Sequence, residues 1–237
     1  MIPDSPKFMK DFAKLEKIIG VKFKNIDLLR QAMVHRSYLN ENPGFELDQN
    51  ERLEFLGDAV LELAVTENLY NNYTNQEGEL TNWRASLVNA KMLAKLAKDL
   101  DYDDFLYLSR GETKDKSGKA RDYILANAFE AVIGAVYLDQ GYQVAADFIG
   151  RVVLPELKGI LENKSYIDPK SRFQESAQEK VGVTPRYEVL TETGPDHNKF
   201  FVVGVMLGDD LVAKGEGSSK QEAQEAAARA GLEAKGW

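Results

Sequence analysis

The chain has 237 residues, 43% hydrophobic and 29% charged, the proportions of an ordinary soluble globular protein long enough for one large or two modest domains. It has no cysteine and only two histidines, which excludes disulfides, thiolate nucleophiles, thiolate metal centres and a histidine-rich zinc site. A formal net charge of −8 argues, at face value, against a nucleic-acid partner, although acids and bases can gather at different places in one chain.

No apolar run approaches the length of a membrane span, so no membrane association is expected. Met1 to Lys10 carries Pro, Asp and Lys where a secretory signal would be apolar. Together with the missing cysteines this leads us to expect a cytoplasmic protein, in which the sequons at Asn72 and Asn163 mean nothing.

A first helix is expected over residues 5–18, with Phe8, Phe12, Leu15 and Ile19 at helical spacing and Gly20 closing it. A second should cover Ile26 to Tyr38, with His35 as a packed, hydrogen-bonded residue in preference to a base. Asn40 to Asp48, with Pro43 and Gly44, reads as a loop.

Asn50 to Leu61 follows, reading Asn-Glu-Arg-Leu-Glu-Phe-Leu-Gly-Asp-Ala-Val-Leu. At about 100° per residue, Glu51, Glu54 and Asp58 fall in one arc of a helix, with Leu53, Leu56, Val60 and Leu63 opposite. Carboxylates stacked on one face repel, whereas a divalent cation takes oxygen ligands from such a cluster. A solvated acidic face and half of a metal site both fit this spacing.

The next helix is expected from Gly78 through Leu96, its apolar stripe formed by Trp83, Leu87, Ala90, Leu93 and Ala94. Glu77 and Glu79 at its entry suit a helix N-terminus. Ser109 to Lys119 reads as an exposed loop. Its Gly118-Lys119 pair does not make a phosphate loop, because Gly111 lies seven residues upstream instead of five and Ala120 stands where Ser or Thr is needed. Tyr123 to Leu138 is a long apolar helix whose strongly polar pair is Asn127 and Glu130. Gly134 within it costs about 1 kcal/mol relative to alanine. Such a glycine admits a close neighbour, and Gly57 of the acidic helix is the natural mate. A crossing at those glycines would bring Glu54, Asp58, Asn127 and Glu130 together.

The periodicity changes after a short polar linker. A helix over Ser171 to Lys180 precedes strand-like Tyr187 to Glu192, Phe200 to Leu207 and Leu211 to Lys214, and an alanine-rich helix runs from Ser219 to Lys235. The expected architecture is an all-α domain over residues 1–162, a linker over 163–168 and a small α-β-β-β-α domain over 169–237.

Asn50 to Asp58 resembles, almost residue for residue, the signature of the ribonuclease III family. Glu77-Gly78 with Arg84 to Val88, and Ile124 to Ala131, resemble its further blocks. The C-terminal domain is similar to a double-stranded-RNA-binding domain through Asp168 to Ser171, Gly194 to His197 and Gly215 to Lys220. The resemblance covers essentially the whole chain. It implies an endoribonuclease that hydrolyses double-stranded RNA with Mg²⁺, or Mn²⁺ as a substitute, held at Glu54, Asp58, Asn127 and Glu130. Glu51 and Glu77 would support them. The products implied are 5′-phosphate and 3′-hydroxyl ends with two-nucleotide 3′ overhangs, and the substrates precursor ribosomal RNA and structured messages. The active form implied is a homodimer with the signature helix at the interface. In the second domain the resemblance puts Gln174, Glu175 and the loop carrying His197 at minor grooves, with Ser218, Ser219 and Lys220 facing phosphates. Ser218 and Ser219 also fit a plain capping box with Gln221 and Glu222.

Two departures stand out. The family usually has Asp where this chain has Asn127, a neutral ligand that should weaken cation binding. An active enzyme and a catalytically impaired duplex-RNA-binding dimer are both compatible with that change. The last helix also begins with one Lys followed by Gln and Glu where the family prefers several bases, so modest RNA affinity is expected.

Overall fold

In the computed structural model, residues 10–115, 118–164, 166–195 and 199–237 are described. The chain falls into two compact units, Met1–Asn163 and Lys164–Trp237. Phe8 of the expected first helix lies outside the described residues.

The first unit is helical. Helix α1 (Phe12–Ile19) begins where the Asp11 side chain accepts the Lys14 N–H and ends at Gly20, whose left-handed φ of 68° the glycine allows. Helix α2 (Ile26–Ala32) is capped by Asn25. The helix expected to continue to Tyr38 instead stops there. Tyr107 donates its N–H to the Met33 carbonyl at 2.8 Å and accepts that of His35 at 3.1 Å. These pairings draw Val34 into a single parallel bridge with Tyr107. His35 then caps α3 (Arg36–Glu41), its Nδ1 lying 3.3 Å from the Ser37 N–H and 2.8 Å from the Ser37 hydroxyl.

Helix α4 (Glu51–Asn72) is the acidic helix. The helix expected over 78–96 is two, α5 (Glu77–Val88) and α6 (Ala90–Asp99). Asn89 sits between them in extended conformation. Its amide donates to the Ala85 and Ser86 carbonyls at 3.1 and 2.9 Å while its oxygen accepts the Met92 N–H at 3.0 Å. One side chain thus closes one helix and opens the next. A 3₁₀ turn, Tyr102–Asp104, leads to α7 (Arg110–Lys114), a short helix capped by Ser109 within the segment expected to be loop.

Helix α8 (Lys119–Gln140) is the centre of this unit, with Ile124, Leu125, Phe129, Val132, Ile133 and Val136 buried. It packs against α2, α4, α6 and α9 (Tyr142–Val152), with the Phe129 ring between those of Tyr102 and Phe148 at 6.1 and 6.0 Å. Helix α10 (Glu156–Glu162) ends the unit. No helix among the described residues is long and apolar enough to cross a membrane.

The second unit has α11 (Pro169–Val181), strands β1 (Arg186–Thr193), β2 (Phe200–Leu207) and β3 (Asp210–Gly217), and α12 (Lys220–Lys235). The sheet is antiparallel in the order β1-β2-β3. The expected α-β-β-β-α order holds, with β3 longer than Leu211 to Lys214. Both helices lie on one face, where Phe173, Phe201, Val203, Val205, Ala223, Ala227 and Leu232 form the core.

Candidate active site

The site is built on the crossing of α4 and α8. A Cβ added to Gly57 would fall on the Glu130 carbonyl and 2.8 Å from the Gly134 nitrogen. One added to Gly134 would fall on the Leu53 carbonyl and 3.1 Å from the Gly57 nitrogen. The two backbones therefore touch, and each glycine is required by the other helix. Leu53, Val60, Leu61, Ala64, Val65 and Leu69 are the buried side of α4. Leu63, expected on that side, is instead 56% exposed.

The start of α4 is pinned from below. Asn50 is buried, its amide donates to the Ala32 carbonyl at 3.1 Å and its N–H to the Val34 carbonyl at 2.9 Å. The break after α2 thus creates the seat for the acidic helix. In the sequence Asn50 stands out only as part of a motif; a polar amide opening a helix was the signal for its anchoring role. Arg36, at the start of α3, lies 3.8 Å from Glu51.

The crossing places Glu54 and Glu130 half-buried beside the exposed Asp58, with Asn127 half-buried one turn before Glu130. The Glu130 carboxyl is pushed up to about 8, first by burial, then by the charges of Asp58 and Glu54. Glu54 is raised as well, by burial and then by Glu51 and Asp58, while a hydrogen bond from the Asn127 side chain pulls the other way. Glu51, Glu54, Asp58, Asn127 and Glu130 thus act on one another. Glu77 stands in the first turn of α5, where it accepts the Thr81 hydroxyl at 3.0 Å, and is absent from the principal charges acting on Glu54 or Glu130.

Among the described residues no three Asp, Glu or His side chains converge closely enough, as they stand, to hold one metal ion. The donor set nevertheless fits a hard divalent cation. It offers several carboxylate oxygens and an amide oxygen, and its raised acids mark negative charge without a counter-charge. The Asn127 amide hydrogen-bonds the Glu54 carboxyl, so these two side chains are in contact.

In the second unit Gln174 and Glu175 are exposed on α11, opposite buried Phe173 and Ala177. Ser219 caps α12 by accepting the Glu222 N–H at 3.1 Å, and the Glu222 carboxylate accepts the Ser218 N–H at 3.0 Å and its hydroxyl at 2.5 Å. Of the two expected capping pairs, Ser219 with Glu222 is present, whereas Ser218 pairs with Glu222 and Gln221 turns to Glu225. Lys220 lies 3.8 Å from Glu192, which also takes a 2.7 Å hydrogen bond from Lys199. A cavity of about 470 Å³ opens between the starts of α11 and α12, lined by Lys170, Gln174, Tyr187, Lys220 and Gln224 among others. His197 lies outside the described residues.

A family model described as ribonuclease-III-like matches residues 25–157, and one for the double-stranded RNA binding motif matches residues 169–235. Proteins named ribonuclease 3 from Dehalococcoides mccartyi and Carboxydothermus hydrogenoformans are 42% and 44% identical to the chain, covering 95% and 94% of it and 95% of each relative. The solved nuclease domain of ribonuclease III from Campylobacter jejuni is 40% identical with a TM-score of 0.56, covering 62% of this chain and 97% of that domain. A second structure of that domain, with a TM-score of 0.55, is described for flexibility in a region involved in dimer formation. A helical nuclease core followed by a duplex-RNA-binding module is the class that fold and site define. The chain belongs to the ribonuclease III family. It is an endoribonuclease of the double-strand-specific type.

Proposed function

We propose that the chain hydrolyses phosphodiester bonds of double-stranded RNA with Mg²⁺, or Mn²⁺ in its place, held by Glu54, Asp58, Asn127 and Glu130. The products are 5′-phosphate and 3′-hydroxyl ends with two-nucleotide 3′ overhangs. The observation that carries this reading is the mutual electrostatic coupling of Glu54, Asp58 and Glu130 across a crossing that only glycines permit. When bound, the cation supplies Lewis-acid activation of water and neutralises charge on the phosphate. The chain's own residues do the rest. Asn50 fixes the register of α4, Gly57 and Gly134 set the helix separation, and Asn127 orients Glu54 by hydrogen bonding. Glu130 holds a proton near neutral pH until a counter-charge arrives. Glu51 and Glu77 support this set at its edge.

The reading includes a homodimer acting in the cytoplasm, with precursor ribosomal RNA and structured messages as substrates. Along α4, Phe55, Leu63 and Tyr70 form a stripe exposed by 82%, 56% and 78%, apolar surface of the kind a second copy covers. In the second domain Gln174, Glu175 and His197 meet minor grooves while Ser218, Ser219 and Lys220 face phosphates.

The hydrogen bond from Asn127 to Glu54 favours a second reading, a duplex-RNA-binding protein with impaired cleavage. Incubating the full chain with duplex RNA across Mg²⁺ and Mn²⁺ concentrations separates the two. Cutting at some concentration, with ends as stated, is expected. Absence of cutting at every concentration, with cutting restored by Asn127→Asp, would establish the second.

A further inference from the structure

The polar face of α8 that carries Asn127 and Glu130 extends one turn further towards its N-terminus. At about 100° per residue, Tyr123 lies within roughly 40° of Asn127 and 20° of Glu130 around the helix, and about 6 Å from Asn127 along it. It is 60% exposed, a large side chain left in solvent on a helix whose middle is largely buried. Its chain neighbours are engaged elsewhere: Arg121 pairs with Asp103, and Asp122 with Lys98. Among the described residues Tyr123 has no hydrogen bond, ring contact or cation above it. It thus adds a hydroxyl at the edge of a site whose other side chains are carboxylates and one amide.

An A-form duplex presents ribose faces and 2′-hydroxyls along its shallow minor groove. Carboxylates near the scissile phosphate repel the backbone. They identify a ribose poorly, whereas a tyrosine packs its ring on the sugar and offers a hydroxyl that both donates and accepts. We infer that Tyr123 is a specificity-determining residue: its hydroxyl engages the ribose 2′-hydroxyl of a nucleotide adjoining the scissile phosphate. Ribose at that position is thereby favoured for cleavage. This inference rests on the proposed reading of Glu54, Asp58, Asn127 and Glu130 as the cleavage site.

The test compares two duplexes, one all-ribose and one with 2′-deoxy nucleotides on both sides of the scissile bond. The full chain, Tyr123→Phe and Tyr123→Ala are each measured for kcat/KM and, in parallel, for equilibrium binding. The unsubstituted chain is expected to favour the all-ribose duplex by roughly three- to tenfold, the range of one hydrogen bond. Tyr123→Phe should lose that preference and match the unsubstituted chain on the deoxy duplex. Tyr123→Ala should lose it and bind both duplexes more weakly. A preference that survives Tyr123→Phe, in cleavage or in binding, overturns the inference. So does a Tyr123→Ala chain that keeps the preference but sediments as a monomer where the unsubstituted chain is a dimer, since a second copy would then be what covers the ring. Failure of the unsubstituted chain to cut anything tells against the cleavage reading instead, and the binding comparison still decides the role of Tyr123.

Discussion

Both units of the chain use glycine to bring backbones together, yet they treat charge in opposite ways. In the nuclease unit Gly57 and Gly134 let two helices touch, and the closeness gathers Glu54 and Glu130, neither of which has a base among the principal charges acting on it. In the RNA-binding unit Gly215 and Gly217 let β3 approach α12, where a Cβ at Gly217 would lie 2.6 Å from the Ala223 nitrogen. Around that second contact the charges and polar groups are matched: Lys199 with Glu192, Lys170 with Gln224, and Ser218 with Glu222. One region is electrostatically unfinished, with Glu54 and Glu130 both raised by burial and by neighbouring carboxylates. In the other the lysines Lys199, Lys220 and Lys170 already have partners, so RNA would compete with them. Burial with unpaired acids is the pattern of a chemical site, and paired lysines leave fewer free charges for phosphates.

The largest effect should follow from filling the crossing. Gly57→Ala puts a methyl on the Glu130 carbonyl, with backbone on both sides and nothing flexible to yield. We expect a loss of about 3 kcal/mol or more in urea denaturation. Gly78→Ala, where nothing lies within 4 Å, should change stability little and serves as the control. Near-equal stabilities for the two variants would mean that the helices do not touch as described.

Next comes charge. Asn127→Asp adds a carboxylate to the unfinished region and removes a donor from Glu54. The metal-free protein should become less stable, while the Mg²⁺ midpoint for cleavage should fall about tenfold, roughly 1.4 kcal/mol. An unchanged midpoint in a metal titration would remove Asn127 from the site.

A smaller effect should appear in pH dependence. Glu130 titrates near about 8 in the folded chain, raised chiefly by burial, and near about 4.3 when unfolded. Between these values the folded chain holds a proton that the unfolded chain has lost. Stability is therefore greatest below the lower value, falls as pH rises towards about 8, and is flat beyond. Denaturation midpoints of the metal-free chain should decline over that window. Saturating Mg²⁺ or Glu130→Gln should shrink the decline, and a slope unaltered by Glu130→Gln would refute the assignment.

How much of this was legible in the sequence follows the range of the interactions involved. The crossing was legible because a glycine inside a strongly patterned helix costs stability unless it admits a neighbouring backbone, and two such helices each carry one. The order of elements in the RNA-binding unit was legible from the change in periodicity. The break at Met33 to His35 was not, because it depends on Tyr107, far away in the chain. The split at Asn89 is different: the local signal of an Asn capping two helices was present, and the apolar stripe running through it concealed the break. Leu63 was assigned to the buried face because it fits the period, although the α8 contact turns the buried face of α4 towards Leu61 and Val65. Helical spacing and the family resemblance singled out the carboxylates, but only packing distinguishes half-buried Glu54 and Glu130 from exposed Glu77.

The smallest predicted effect lies in the paired region and tests the comparison from its other side. If the RNA-binding unit is moderate because its bases are tied up, releasing them should strengthen it. Glu192 holds Lys199 at 2.7 Å and Lys220 at 3.8 Å, and its carboxyl is lowered chiefly by the Lys199 hydrogen bond. Glu192→Gln keeps the shape and removes the charge. Duplex-RNA affinity should rise a fewfold, and the slope of log affinity against log salt should steepen by up to about two phosphate contacts. Lys220→Ala should act in reverse, weakening binding without regard to sequence and reducing that slope by about one. The double variant should fall between the two, because the released Lys199 remains. Should Glu192→Gln leave both affinity and salt slope unchanged, the pairing is incidental, and the weakness of this surface lies in how few bases α12 carries.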